Sequence, residues 1–265
     1  ALFLPVYAKI YVTIITITIF SALYIIEIFA PNFQPVRKSL EEKRKPMVDA
    51  VIAAGNKFDF RNKKSVVQQL RVKGREAFPA YWPQLIREFS GPYGVPGTSN
   101  DIIPLSNVSK KLTVFCNESG KWQTYKSDKH GFNNPRGLYD LESVDIVLIG
   151  DSFTEGYCVS REHNIASQLA EITNLNVLNF GKGGNGPLFE LATLIEYGKV
   201  MRPKIVAWFY FGNDLEELNL ERQSPILIKY LESDYSQNLY LKQENVDKFI
   251  KILLMEVEKK YKIIN

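Results

Sequence analysis

Histidine is nearly missing from this chain: His130 and His163 are the only two in 265 residues. Cysteine is as scarce, with Cys116 and Cys158 alone. No Cys/His/carboxylate group has metal-ligand spacing, so neither a metal nor another cofactor is expected. No P-loop and no dinucleotide-binding glycine pattern occurs, which removes the common phosphate-cradling folds. A surplus of one charge is lacking too. Lys and Arg total 33 against 29 Asp and Glu, a net of +4, with the basic residues dispersed among acidic ones. That balance argues against a nucleic-acid partner. There is no internal repeat.

What is present is an ordinary globular composition, 45% hydrophobic and 23% charged, at a length that allows one sizeable α/β domain and an extra segment. The chain begins with Ala1 and ends on KKYKIIN. Both features point to processing or truncation.

Residues 4–29 are almost wholly apolar, with no charge between Lys9 and Glu27. Seventeen uncharged residues make roughly 25 Å of helix, and snorkelling of the flanking charges lengthens its reach. The expectation is a transmembrane anchor and a membrane partner; a buried β-branched strand pair is the competing reading. Arg37, Lys38, Lys43, Arg44 and Lys45 follow closely, which by the positive-inside rule would place the rest of the chain in the cytoplasm. Residues preceding Ala1 could reverse that balance, so orientation stays open.

Residues 31–110 read as a polar, irregular linker or accessory region with one helix candidate, residues 63–74. Val66, Val67 and Leu70 share a face there, and Gly74 sits where a helix stops. The proline-rich FPAYWP and GPYGVPG runs read as ordered loop. From Leu112, LTVFC and KWQTY flank the turn NESG and predict a β-hairpin. The polar turn SDKHGFNNP leads into the main domain, residues 111–265.

Three apolar strands follow: VDIVLIG (144–150), NVLNFG (176–181) and KIVAWFYFG (204–212), each succeeded by a helical pattern. Continuous apolar strands alternating with helices predict a parallel sheet covered on both faces, a three-layer α/β/α flavodoxin-like sandwich. The segment KQENVDKFIKILLMEVEKKYK predicts an amphipathic helix packed on the core through Val246, Phe249, Ile250, Leu253 and Leu254.

The strand ends carry the chemistry. The first ends in Gly150-Asp151-Ser152, the second in a turn from Asn179 to Gly186, and the third in Gly212-Asn213-Asp214. In an open parallel sheet, ligands bind outside the carboxyl ends of the strands. Ser152 starts a helix, so its hydroxyl is exposed as a nucleophile and its own N–H faces the crevice. Glycines in the second turn let backbone N–H groups approach a ligand, and Asn213 offers a side-chain donor. A serine with three convergent donors makes a nucleophile and an oxyanion hole. Lys182 and Asn185 are candidate substrate contacts, Asp151 fixes the turn, and Asp214 caps the next helix.

IGDSFTEG, NFGKGGNGP and FGNDL resemble the first three blocks of the SGNH, or GDSL, hydrolase family, over roughly residues 110–220. The resemblance implies that Ser152 is the catalytic nucleophile and that the oxyanion hole consists of the N–H groups of Ser152 and Gly184 (Gly183 being the other option) with the Asn213 amide. It implies a serine esterase or acyltransferase acting on an O-linked acyl ester. SDKHGFNNP is similar to a stretch in bacterial membrane-anchored members, some of them linked to polysaccharide O-acylation. A polysaccharide substrate, a single-pass inner-membrane location and an extracytoplasmic domain follow as expectations.

The family's Asp-x-x-His block, the source of the base, is absent. Neither His130 nor His163 has Asp three residues before it, and both read as structural. The base is therefore expected beyond Asn265, leaving this chain nearly inactive. The alternatives are a non-catalytic carbohydrate-binding relative and a membrane-tethered scaffolding module. Cys116 and Cys158 would be bridged in an oxidising compartment and reduced in the cytoplasm.

Overall fold

The computed structural model describes residues 5–29, 40–90 and 102–264. The GPYGVPG loop and the basic pair Arg37 and Lys38 lie outside the described residues. The chain divides into two compact units, residues 1–50 and 51–265.

The first unit holds α1 (Val6–Phe29), an unbroken helix of 24 residues. The strand-pair reading of its β-branched run is thereby set aside. The hydroxyls of Thr16 and Thr18 donate to the carbonyls of Val12 and Ile14, one turn back, at 2.8 and 2.9 Å. Helical threonines spend their polar groups in this way. Tyr7, Ile10, Phe20 and Tyr24 are exposed. The expected transmembrane anchor is not supported, because no helix among the described residues is long and apolar enough to cross a membrane. A second helix, α2 (Leu40–Ala53), crosses the division between units and carries Pro46 in its interior. The proline and the surrounding charges hid it from the sequence pattern.

The second unit begins with α3 (Lys63–Val72), where expected, capped by Asn62, whose side chain accepts the Ser65 N–H at 2.8 Å. Then come β1 (Ala77–Pro79), α4 (Gln84–Ser90), β2 (Leu112–Val114) and β3 (Thr124–Lys126). β2 and β3 pair antiparallel as the predicted hairpin, and β1 adds in parallel to β2. Residues 51–90 and 102–110 are thus built into the main unit instead of linking to it. Tyr81, Ile86, Ile102, Ile103, Leu105 and Val108 share its largest core.

The second sheet contains β4 (Ile146–Ile149), β5 (Val177–Asn179) and β6 (Ile205–Trp208), all parallel, in the order β5-β4-β6. Between and after them run α5 (Ser152–Glu155), α6 (Ile165–Thr173), α7 (Pro187–Thr193), α8 (Asp214–Glu221), α9 (Pro225–Lys229) and α10 (Gln243–Ile264). The two-residue period of a strand sorts β4 between two layers. Ile146 and Leu148 pack with Ala166 of α6, while Val147 and Ile149 join the core with Leu188 of α7 and Val246, Phe249 and Leu253 of α10. β4 and β5 are buried on both faces. The fully covered sheet expected from the sequence is not found at β6, where Ile205, Val206, Trp208, Phe209, Tyr210 and Phe211 are all exposed. An apolar strand of a parallel sheet is ordinarily covered on both sides. Among the described residues, β6 has a strand neighbour on one edge alone.

Cys116 and Cys158 form a disulfide across 42 residues of sequence, tying the β2–β3 hairpin to the loop after α5. Closing such a loop stabilises the fold by about 4 kcal/mol on the chain-entropy account. Reduction is expected to lower the unfolding free energy obtained from urea titration by that order. A thiol assay of the denatured, unreduced chain should find no free thiol, whereas two would refute the bridge.

Candidate active site

Ser152 is the first residue of α5, directly after β4. Asp151 caps the helix: its carboxylate accepts the Phe153 N–H at 3.0 Å. The second oxygen of that carboxylate, Oδ2, receives the Ser152 hydroxyl at 3.3 Å and the Asn213 side-chain amide at 3.4 Å. One carboxylate oxygen thus brings together the ends of β4 and β6. Asp151 fixes this turn, as its position in the sequence suggested. Asp214 does something other than cap α8. Its carboxylate accepts the Phe211 N–H at 2.7 Å, closing the turn that presents Asn213.

The turn after β5 is fastened to α5 by contacts that only glycine and buried polar groups permit. A Cβ on Gly181 would lie 2.2 Å from the Glu155 nitrogen, closer than any side chain tolerates. The Gly183 N–H donates to Glu155 Oε2 at 2.6 Å. Gly183 is therefore spent. The Gly184 N–H has no acceptor among the described residues, and neither has the Ser152 N–H. Gly184 takes φ +81°, and its α-carbon lies beneath the Trp82 indole, where a Cβ would come within 2.4 Å of the ring. Both constraints make glycine necessary there.

Lys182, expected to meet substrate, is buried. Its ammonium donates to the Tyr81 carbonyl at 2.9 Å and to Asn107 Oδ1 at 3.2 Å, and stands 4.1 Å from the Tyr81 ring centre. Burial pushes it down to about 8, with the Glu155 charge opposing the shift. Those contacts use the ammonium to hold the turn. Asn185 is fully buried as well, with neither amide atom hydrogen-bonded.

Several positioning residues escaped the sequence reading. Asp128, within SDKHGFNNP, accepts the N–H groups of His130 and Phe132, the Asn134 amide and the Tyr139 hydroxyl, at 2.8–3.0 Å. Asn134 then pairs with the backbone of Asn179, donating to its carbonyl and accepting its N–H, both at 2.8 Å. Asn179 in turn donates to the Thr154 carbonyl at 2.6 Å and accepts the Gly181 N–H at 2.8 Å. A chain of amides and carboxylates thus runs from the polar turn to α5, the helix that Ser152 begins. Six hydrogen-bonding side chains within the nine residues of SDKHGFNNP were the available signal.

Neither histidine reaches Ser152. The imidazole of His163 meets the Ser160 hydroxyl at 2.9 Å on the surface. His130 is buried against Tyr139, Tyr197 and Tyr240, its Nδ1 2.9 Å from Gln243 Oε1. Burial pulls it down to about 4. A buried neutral imidazole contributes stability above its unfolded value near 6.5, and that contribution is lost as pH falls from 6.5 through 4. The loss should be about 3 kcal/mol. Burial pushes Glu190 up to about 8 and Glu221 up to about 7, so their contributions grow over the same descent. The readout is therefore the difference between wild type and His130→Gln in urea midpoints at pH 7.5 and pH 4.5. The wild type should lose its advantage at the lower pH; a difference independent of pH would refute the assignment.

Compared with family models, curated proteins and solved structures, the chain matches none. The site's own geometry therefore carries the functional reading.

Proposed function

We propose that residues 111–265 form a flavodoxin-like SGNH-type domain acting on an O-linked acyl ester as an esterase or acyltransferase. The observation that supports this most is the meeting of the Ser152 hydroxyl and the Asn213 amide on one carboxylate oxygen of Asp151, with the N–H groups of Ser152 and Gly184 left without an acceptor among the described residues. Three donors suit a carbonyl oxygen that becomes an oxyanion. In the proposed step, Ser152 Oγ attacks the ester carbonyl and its proton passes to a base. The carbon–oxygen bond to the alcohol then breaks, and the alkoxide takes that proton. Water or a second alcohol repeats the sequence in reverse and frees the serine.

No histidine base reaches Ser152 among the described residues. Among them, Asp151 is the one partner of the Ser152 hydroxyl, and both histidines are engaged elsewhere. The same lack of a base supports a second reading, a relative that binds the ester without turning it over. The disulfide suits an oxidising, extracytoplasmic location for the domain.

A fluorophosphonate probe tests the proposal. The chain alone should label poorly, because losing a triad base costs on the order of 10⁶ in a serine protease. Added imidazole, standing in for the base, should increase labelling, and Ser152→Ala should abolish the increase. Strong labelling without imidazole would refute the incomplete site. Labelling that persists in Ser152→Ala would refute the nucleophile.

A further inference from the structure

The helix α7 has no cap of its own. The residue before it is Gly186, which has no side chain to offer, and Pro187 follows without an N–H. Backbone N–H groups at a buried helix start need acceptors. Here a single carboxylate from another helix supplies them. Glu221 Oε1 accepts the Gly186 N–H at 2.6 Å, and its Oε2 accepts the Leu188 N–H at 2.8 Å. Glu221 is buried and is the last residue of α8. Charge-assisted bonds of this kind are short and strong. Two of them, from the two oxygens of one group, fix both the distance and the angle between α8 and the start of α7.

Asn213 stands at the opposite end of α8, immediately before Asp214. The turn that Glu221 holds is the one that carries Gly184, two residues ahead of Gly186. With eight residues, α8 spans about 12 Å, a short strut between one oxyanion donor and the turn bearing another. Two further contacts join strut and turn. Gln84 donates to Glu217 Oε2 at 2.7 Å and to the Gly184 carbonyl at 3.4 Å. A Cβ on Gly186 would lie 2.6 Å from Glu217 Cβ and 2.9 Å from Glu221 Oε1. Gly186 has φ −112°, a backbone that alanine also adopts, so glycine is needed there for close approach alone. On the other side, Glu155 holds the Gly183 N–H. The Gly184 N–H is thus set from both of its flanks, and α8 provides the flank that Asn213 shares.

We infer that Glu221 is a positioning residue of the oxyanion hole: through α8 it keeps the Gly184 N–H in register with the Asn213 amide. It touches no reacting atom. The inference rests on the ester reading of Ser152 and adds the part that aims donors from two strand ends at one oxygen. A cap that merely stabilised α7 is ordinarily a local serine or aspartate. Supplying it from α8 instead encloses a carboxylate, and burial pushes Glu221 up to about 7. What that arrangement gains is a link between the two donor turns.

The test is the rate of imidazole-assisted acylation of Ser152 by p-nitrophenyl acetate, corrected for the folded fraction. It is run at a pH about 1.5 above the value near 7 of Glu221, which is then ionised. Misplacing a group by about an ångström slows a reaction on the order of 10²-fold. Glu221→Ala should therefore slow acylation by about 10–100-fold. Glu221→Gln keeps one acceptor oxygen and should slow it less. Gly186→Ala, which pushes α8 off the turn while leaving Glu221 intact, should slow it by about tenfold. In the Asn213→Ala background α8 has no donor left to align, and each substitution should slow the remaining rate by less than about twofold. Slowing by the same factor with and without Asn213 would mean that Glu221 only stabilises the fold, and would overturn the inference. So would a wild-type rate in Glu221→Ala. If Glu221→Ala does not fold, Glu221→Gln and Gly186→Ala carry the same comparison. Failure of the ester reading is distinguishable, since acylation would then be indifferent to Asn213→Ala itself, and it would overturn this inference too.

Discussion

Asn213→Ala is expected to lower imidazole-assisted acylation of Ser152 by about 10²–10³, the usual loss for a single oxyanion donor. The substitution removes the one side-chain donor of the three and leaves the two backbone N–H groups in place. In the resting structure the Asn213 amide rests on Asp151 Oδ2 at 3.4 Å, a long contact. Transferring it to a developing oxyanion therefore sacrifices little in the ground state. That difference between ground state and transition state is what accelerates a reaction. The loss should appear in the rate of acylation, with substrate binding little changed. Acylation within threefold of wild type would remove Asn213 from the oxyanion hole.

Glu155→Ala is expected to destabilise the fold by about 2–4 kcal/mol, because it leaves two buried donors unpaired and removes the charge nearest the buried Lys182. The carboxylate is fully enclosed, where burial pushes it above the usual carboxylate range while Lys182 and two hydrogen bonds hold it down. It accepts the Gly183 N–H at 2.6 Å and the Tyr125 hydroxyl at 3.1 Å. Its loss would orphan both donors and leave the Lys182 ammonium buried without its counter-charge. Against a typical total of about 5–15 kcal/mol, this is a large fraction. Glu155→Gln keeps one acceptor oxygen and should cost less. Because Lys182 is already pulled to about 8, the penalty for Ala should shrink above that pH, where the amine discharges without strain. Urea unfolding at pH 7 and pH 9 checks both the size and the trend. A cost under 1 kcal/mol at pH 7 would show that Glu155 does not secure the turn.

The parts of the fold legible in the sequence were those governed by local periodicity. Continuous apolar runs marked β4, β5 and β6, the 3.6-residue stripe marked α10, and the turn NESG marked the hairpin. Parallel order followed from alternation of strands with helices. The meeting of Ser152 and Asn213 was legible too: both contact Asp151, as their positions after β4 and β6 required. What stayed hidden depends on contacts distant in sequence. Lys182 has the composition of a ligand-binding residue, and only its approach to Tyr81 and Asn107, far earlier in the chain, turns it inward. The choice between Gly183 and Gly184 rested on Glu155, whose carboxylate occupies one N–H and leaves the other. β1 was missed because three residues of Ala77-Phe78-Pro79 carry no pattern. Pairing with β2 makes them a strand. The exposed flank of β6 could not be foreseen either, since an apolar run predicts burial and says nothing of what provides it.

Peptide mapping by mass spectrometry after reaction with p-nitrophenyl acetate tests the central claim most directly. With imidazole present, an acetyl group should appear on the peptide carrying Ser152. It should be absent from Ser152→Ala and reduced by about 10²–10³ in Asn213→Ala. Acetylation scattered over surface lysines, equal in all three proteins and never found on Ser152, would contradict the account.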